Sequence, residues 1–217
     1  IQPILDLVAT CAKKGIEHAI LSPGSRCAPL TLAFARHPDI HARTISDERS
    51  AAFIALGMAQ QYESPVALVC TSGSAAYNYA PAVAEAFFQQ IPLLVITADR
   101  PPEWIDQWDG QTIRQTEIYG KHVKGSFTFP DEYTHQDKIW HANRITNDAI
   151  NLAMQYPPGP VHINIPLREP FYPEKNEEFK FNSKVKNIEI LQGSASLSDD
   201  SKQKIASKLK IFNRILI

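Results

Sequence analysis

Residues 66–100 read VALVCTSGSAAYNYAPAVAEAFFQQIPLLVITADR, and this stretch decides the fold class. Val66 to Cys70 is an unbroken apolar run, too short for a helix and of ordinary strand length, and Leu93 to Thr97 is another. Between them, Thr71-Ser72-Gly73-Ser74 reads as a turn whose hydroxyls can cap a helix running to about Gln89. Two strands joined through a helix must lie parallel, because a parallel neighbour needs a long crossover connection. Both runs are apolar at every position rather than at alternate ones, as expected when helices cover both faces of the sheet.

The same alternation extends in both directions, with every strand read as apolar on both faces. Upstream, residues 2–14 carry an apolar helical face, His18 to Leu21 is a short strand, 28–36 a helix, His41 to Ile45 a strand, and Asp47 opens a helix to about Gln61. Downstream, a loop-rich stretch over 102–120 precedes an expected strand at Val123 to Phe127, a helix over 134–155 and a final strand at Pro160 to Ile165. The expected fold is therefore α/β, a doubly wound parallel sheet of about six strands with helices on both faces, built by residues 1–170. Residues 171–217 are expected to form a linker and the start of a further domain, with polar crossings at 170–187 and 194–201 and an amphipathic helix over 199–212. The apolar end, Asn213 to Ile217, reads as the beginning of another strand.

The 217 residues suffice for a core without disulfide staples. Lys and Arg total 22 against 23 Asp and Glu, a net charge of −1. That balance excludes a strongly basic nucleic-acid footprint and an acidic tail, so no nucleic-acid partner is expected. No run approaches membrane-spanning length. The three cysteines, Cys11, Cys27 and Cys70, are scattered, which fits a reducing, cytoplasmic setting rather than a disulfide framework.

Ligands of open parallel sheets bind at the carboxyl ends of the strands. Four such ends carry distinctive loops: SPGSR (22–26), SDER (46–49), TSGS (71–74) and TADRPPE (97–103). They place Ser25, Arg26, Glu48, Thr71, Asp99 and Arg100 along one edge. Each has a plain reading as well. Glu48 at a helix start is favoured by the helix dipole, and it is also placed to exchange a proton with a ligand. Arg26 and Arg100 can be salt-bridged to Asp47 or Asp99, or can capture carboxylates in bidentate fashion. Gly73 and Ser74 can bind an anion or simply make a tight turn. G-x-G-x-x-G, G-x-S-x-G and H-E-x-x-H are all absent, and no metal site is expected within these residues.

SPGSR-x-x-P-L (22–30), DERSAAFIALGMA (47–59), TSGSAAYNYAPAVAEA (71–86) and TADRPPE with GQTIRQ (97–103, 110–115) together resemble the pyrimidine-binding domain of thiamine-diphosphate enzymes. The last motif is similar to that of the family's menaquinone-pathway carboligases, which decarboxylate 2-oxoglutarate and add the succinyl unit to isochorismate. The resemblance implies that Glu48 is the catalytic carboxylate, hydrogen-bonding the cofactor's aminopyrimidine and favouring its imino tautomer. It implies that Thr71 and Asn78 lie beside that ring, and that Ser25, Arg26, Arg100 and Gln111 hold isochorismate, whose two carboxylates suit arginines. The diphosphate and Mg2+ would be held by a carboxy-terminal domain carrying a G-D-G motif, which this sequence lacks. A site shared between subunits of a homodimer or homotetramer follows, as does an isolated domain without activity. The competing expectations are another thiamine-dependent carboligase or decarboxylase, similar to acetohydroxyacid synthase, and a non-catalytic α/β binding module.

Overall fold

A computed structural model describes residues 1–168, 173, 178–191, 193, 196–212 and 214. The chain alternates α1 (Gln2–Lys13), β1 (His18–Ser22), α2 (Ala28–Arg36), β2 (His41–Thr44), α3 (Glu48–Tyr62) and β3 (Val66–Cys70). It continues through α4 (Ser74–Asn78), α5 (Ala80–Phe88), β4 (Leu93–Asp99), β5 (Ser126–Thr128), α6 (Gln136–Met154), β6 (Val161–Pro166) and α7 (Asp199–Leu209). The six strands form one sheet in the order β2-β1-β3-β4-β6-β5. Every neighbouring pair is parallel. The α/β expectation is met.

The two-residue period of a strand sends successive side chains to opposite faces, and each face has its own core. Ala67, Val69, Leu94, Ile96, Ile163 and Ile165 join α1, α2 and α6 in one cluster. Val66, Leu68, Cys70, Leu93 and Val95 join α3, α4 and α5 in the other. Buried Cys11, Cys27 and Cys70 are free thiols acting as small apolar residues.

Four local expectations need correction. β2 is not apolar on both faces: it is an edge strand, and His41, Arg43 and Thr44 are exposed. β6 is buried throughout, yet one of its faces is polar, with His162 and Asn164 at 0% and 1% exposure. β5, the strand at the other edge, spans 126–128 instead of 123–127, because Lys124 and Gly125 form the connection whose backbone bonds Pro160 and His162. Finally, the helix expected over 74–89 is two helices, α4 and α5. Pro81 has no N–H to continue the ladder of α4, so the chain restarts there as a new first turn.

Residues 178–190 lie against α1 and α6. Lys13 Nζ donates to Val185 O at 3.0 Å and Lys14 Nζ to Ile188 O at 2.8 Å. Asn147 and Asn151 of α6 donate to Lys186 O and Ile188 O, and Val185 is buried. Helix α7 has no buried residue, leaving Ile205 and Leu209 at 45% and 43% exposure. The strand expected to begin at 213–217 lies outside the described residues except for Arg214, as do parts of the two polar crossings. No helix among the described residues is long and apolar enough to cross a membrane.

Candidate functional site at the strand ends

Parallel pairing with matched register aligns the strand ends. Ser22 sits opposite Cys70, Cys70 opposite Thr97, and Thr97 opposite Asn164. The loops that follow therefore share one edge, as expected from the motif positions.

The β2–α3 connection presents Glu48. Asp47 caps α3, its carboxylate accepting from Ser50 N at 2.7 Å, which satisfies one of the helix's orphan donors and leaves the Glu48 side chain free of capping. Glu48 is half-buried and Asn78 exposed. The Asn78 amide donates to Glu48 Oε2 at 3.4 Å, so residues from two different helix ends meet here. Glu48 is also close enough to Cys70 for its charge to contribute to the raised thiol pKa there, which burial dominates.

Thr71 lies between the two halves of the row. Its hydroxyl is buried and makes no hydrogen bond. A Cβ at Gly24 would stand 2.5 Å from Thr71 Cβ, so only glycine lets the SPGSR loop approach this closely. Gly73, at φ +83°, adopts the left-handed conformation and begins α4 with no side-chain cap. The expected hydroxyl cap is thus not used. A Cβ at Gly73 would meet Gln111 O at 2.8 Å.

The arginines are built into the other half. Arg100 Nε pairs with Asp109 at 2.9 Å, one terminal nitrogen donates to Ser72 Oγ at 2.6 Å and the other to Gly110 O at 3.0 Å. Gln111 donates to Ser72 O at 3.1 Å. Arg26 is 7% exposed, donates to Leu167 O and Arg168 O at 2.8 and 2.7 Å, and lies 5.7 Å from the Trp104 ring. Both guanidinium groups lower the Asp109 carboxyl pKa, chiefly through the Arg100 hydrogen bond. The Asp47 and Asp99 partners considered for the arginine side chains are not the ones used: Asp99 Oδ1 accepts the backbone N–H of Arg100. Ser25 is exposed at the rim.

Beneath this half runs a buried polar ladder on the same sheet face as α3, α4 and α5, where Gln115 and Tyr119 of the 102–120 stretch pack over β4 and β6. Thr97 Oγ1 donates to Asn164 Oδ1 at 2.8 Å and contacts His162 Nε2 at 2.8 Å. With its hydrogen committed to Asn164, the Thr97 hydroxyl accepts from His162 Nε2–H, and Nδ1 accepts from Ser126 Oγ at 3.2 Å. Burial pushes the His162 pKa down to about 3, keeping the ring neutral. Asn164 donates to Asp99 Oδ2 at 2.7 Å. Burial raises the Asp99 pKa, partly offset by the Asn164 and Arg100 N–H bonds. Gln115, 1% exposed, closes the ladder from the 102–120 loop. Sequence reasoning assigned no role to Ser72, Asp109, Gln115, His162 or Asn164. The only signals were the final Q of GQTIRQ and the Val-His-Ile-Asn-Ile alternation at 161–165. Among the described residues, no group of three His, Cys, Asp or Glu is arranged to hold a metal ion.

Comparison with known proteins follows the same residues. Residues 5–118 match the family described as thiamine pyrophosphate enzyme, N-terminal TPP binding domain. The chain is 51% identical over 215 residues to 2-succinyl-5-enolpyruvyl-6-hydroxy-3-cyclohexene-1-carboxylate synthase of Cytophaga hutchinsonii, covering 99% of this chain and 38% of that protein. It is 42% identical over 218 residues to the synthase of the same name from Phocaeicola vulgatus, again covering 99% of this chain and 38% of the relative. The enzyme of that name from Porphyromonas gingivalis is 51% identical over 159 residues, 73% of this chain and 28% of that protein. The chain thus spans well under half the length of these relatives. The match over residues 5–118 takes in the Glu48, Thr71 and Arg100 loops together, and the chain belongs to the family of N-terminal, thiamine pyrophosphate-binding domains of thiamine pyrophosphate enzymes.

Proposed function

We propose that this chain is the pyrimidine-binding part of a cytoplasmic thiamine-diphosphate-dependent carboligase, a transferase that decarboxylates 2-oxoglutarate and adds the succinyl unit to isochorismate in menaquinone biosynthesis. Residues 1–170 form that domain, and 171–217 lead into the next. The observation carrying the reading is the 51% identity, over nearly the whole chain, to a relative bearing the name of that synthase.

The residues present fit the cofactor's aminopyrimidine. A buried hydroxyl without a hydrogen bond, Thr71 Oγ1, lies at the end of β3, and a half-buried carboxylate with one long bond from Asn78 stands nearby at the start of α3. An unpaired buried polar atom is costly, and a hydrogen-bonding atom of a bound aminopyrimidine would remove that cost. When bound, thiamine diphosphate supplies the electron sink for decarboxylation and carbon–carbon bond formation. Glu48 would hydrogen-bond a ring nitrogen of the bound aminopyrimidine and share a proton with it. Asn78 orients the Glu48 carboxylate through its amide. Arg26 and Arg100, with Gln111 and Ser25, bind and orient the carboxylates of isochorismate. The diphosphate and Mg2+ are held by another domain of the complete homodimeric or homotetrameric enzyme.

The test is an assay of the complete enzyme with isochorismate and either 2-oxoglutarate or pyruvate. Turnover with 2-oxoglutarate is expected, and none from the 217-residue chain alone. Preference for pyruvate would assign the chain to an acetohydroxyacid-synthase-like enzyme, and absence of any carboligation would leave a non-catalytic module.

A further inference from the structure

We infer that Gln115 is a positioning residue that ties the turn after β3 to the ends of β4 and β6, and thereby sets the Thr71–Gly73 turn against the Arg100–Gln111 cluster. Its side chain is buried in the strand-end row although it comes from the long loop after β4. Gln115 Oε1 accepts from Gly73 N at 2.7 Å. Its Nε2 donates to Ala98 O at 3.0 Å and to Asn164 Oδ1 at 3.0 Å. Asn164 passes the connection to Asp99 at 2.7 Å, and Asp99 accepts from Arg100 N at 2.7 Å. One continuous path of hydrogen bonds therefore runs from the backbone of the β3–α4 turn to the backbone of Arg100.

The chemistry of the path is directional. Gly73 N stands at a helix start, where a backbone N–H has no intrahelical partner; it needs an acceptor. Ala98 O and Asn164 Oδ1 need donors. Among uncharged side chains of this length, only a carboxamide offers one acceptor and two donors in that arrangement. Gln111, whose carbonyl lies against Gly73, adopts φ +59°, and Asp106 and Trp108 on the same loop are also left-handed at +63° and +60°. Such conformations persist where surrounding structure over-determines them, and at the end of this loop Gln115 fixes the chain to Gly73, Ala98 and Asn164. A space-filling plug would require only the shape of Gln115; a positioning residue requires its polarity.

The functional half of the inference rests on the proposed carboligase reading, so the experiment carries two separable arms, both on the complete enzyme. In the first, hydrogen exchange is measured across the 70–74 turn in Gln115→Leu. Loss of the Gly73 acceptor is expected to speed exchange there roughly tenfold, with the sheet interior unchanged. In the second, KM is measured for both substrates. Gln115→Glu is expected to raise KM for isochorismate about tenfold near pH 8, with KM for 2-oxoglutarate changed less than about twofold. Lowering the pH to about 6 is expected to shrink that defect, because a protonated Glu regains a donor toward Ala98 O or Asn164 Oδ1. Unchanged exchange at the turn, an equal KM rise for both substrates, or a defect independent of pH would each overturn the inference. If Gln115→Leu does not fold, protection of the turn in Gln115→Glu is compared with that in the parent at each pH: protection lower than the parent's at the higher pH and recovered at the lower supports the inference, and parent-like protection at both overturns it. If the unmutated enzyme makes no product from isochorismate, the proposed function fails, while the exchange arm still decides the role of Gln115.

Discussion

The strand-end row has two dissimilar halves. At the Glu48 half, one side-chain bond of 3.4 Å joins the carboxylate to Asn78, and Thr71 keeps a buried hydroxyl without a hydrogen bond. At the Arg100 half, the guanidinium is held by Asp109, Ser72 and Gly110, and the strand ends below it are cross-linked by Gln115, Asn164 and Asp99. The floors differ as well. Under Glu48 the sheet face is apolar and packed by α3 and α4. Under Arg100 it is the polar ladder of Thr97, His162 and Asn164, roofed by loop. One half is joined by a single long side-chain bond; the other is cross-linked by several.

The comparison breaks most readily at Glu48. In the complete enzyme, Glu48→Gln is expected to lower turnover by roughly 10²- to 10⁴-fold, the usual worth of a positioned acid–base group, without moving the denaturation midpoint. A variant with near-normal turnover would reduce Glu48 to a helix-start carboxylate. Acid sharpens the contrast from the other side. His162 has its pKa lowered from 6.5 to about 3 in the folded state. The unfolded chain therefore binds a proton that the folded chain refuses, and the stability held above about pH 6.5 is lost as pH falls toward about 3. At about 1.4 kcal/mol per unit, the full loss is on the order of 5 kcal/mol. Asp99, whose folded pKa is raised, acts in the opposite sense: its contribution is present below its unfolded value of about 3.8 and declines as pH rises through the folded one. Urea titrations between about pH 4 and 7 are expected to show the His162 slope, and His162→Gln is expected to flatten it.

A smaller effect is expected from the arginines. Arg26→Ala or Arg100→Ala is expected to weaken isochorismate use about 10- to 100-fold, the worth of a charge-assisted hydrogen bond, with 2-oxoglutarate decarboxylation less affected. Equal losses in both half-reactions would count against their placement on the acceptor. The smallest effect belongs to Asp109→Asn. Its carboxylate is 37% exposed beside an Arg100 side chain that is 12% exposed, and Asn keeps an acceptor for Arg100 Nε while Ser72 and Gly110 hold the rest of the guanidinium, so the thermal midpoint of the variant is expected to fall by only a few degrees.

Legibility in the sequence followed the range of the interaction. β3 and β4 were readable because every position is apolar, and Glu48, Thr71 and Arg100 because they directly follow or face such runs. The break between α4 and α5 was written in Pro81 but hidden by the continuous apolar face around it. β2 lies where its sequence places a strand, but its exposure follows from an edge position that depends on which strands pair, not on its own four residues. His162 and Asn164 contradict the reading of β6 as apolar on both faces, since nothing local announces that the 102–120 stretch covers them.

What the sequence determined by itself is the α/β class, the parallel sense of the strands and the loops at their carboxyl ends, because local periodicity and crossover length leave few alternatives. Only the tertiary structure decided which polar groups share protons. Gln115 meets Gly73 and Asn164 across 42 and 49 residues of chain, and such pairings arise from sheet order and register, which no single segment encodes.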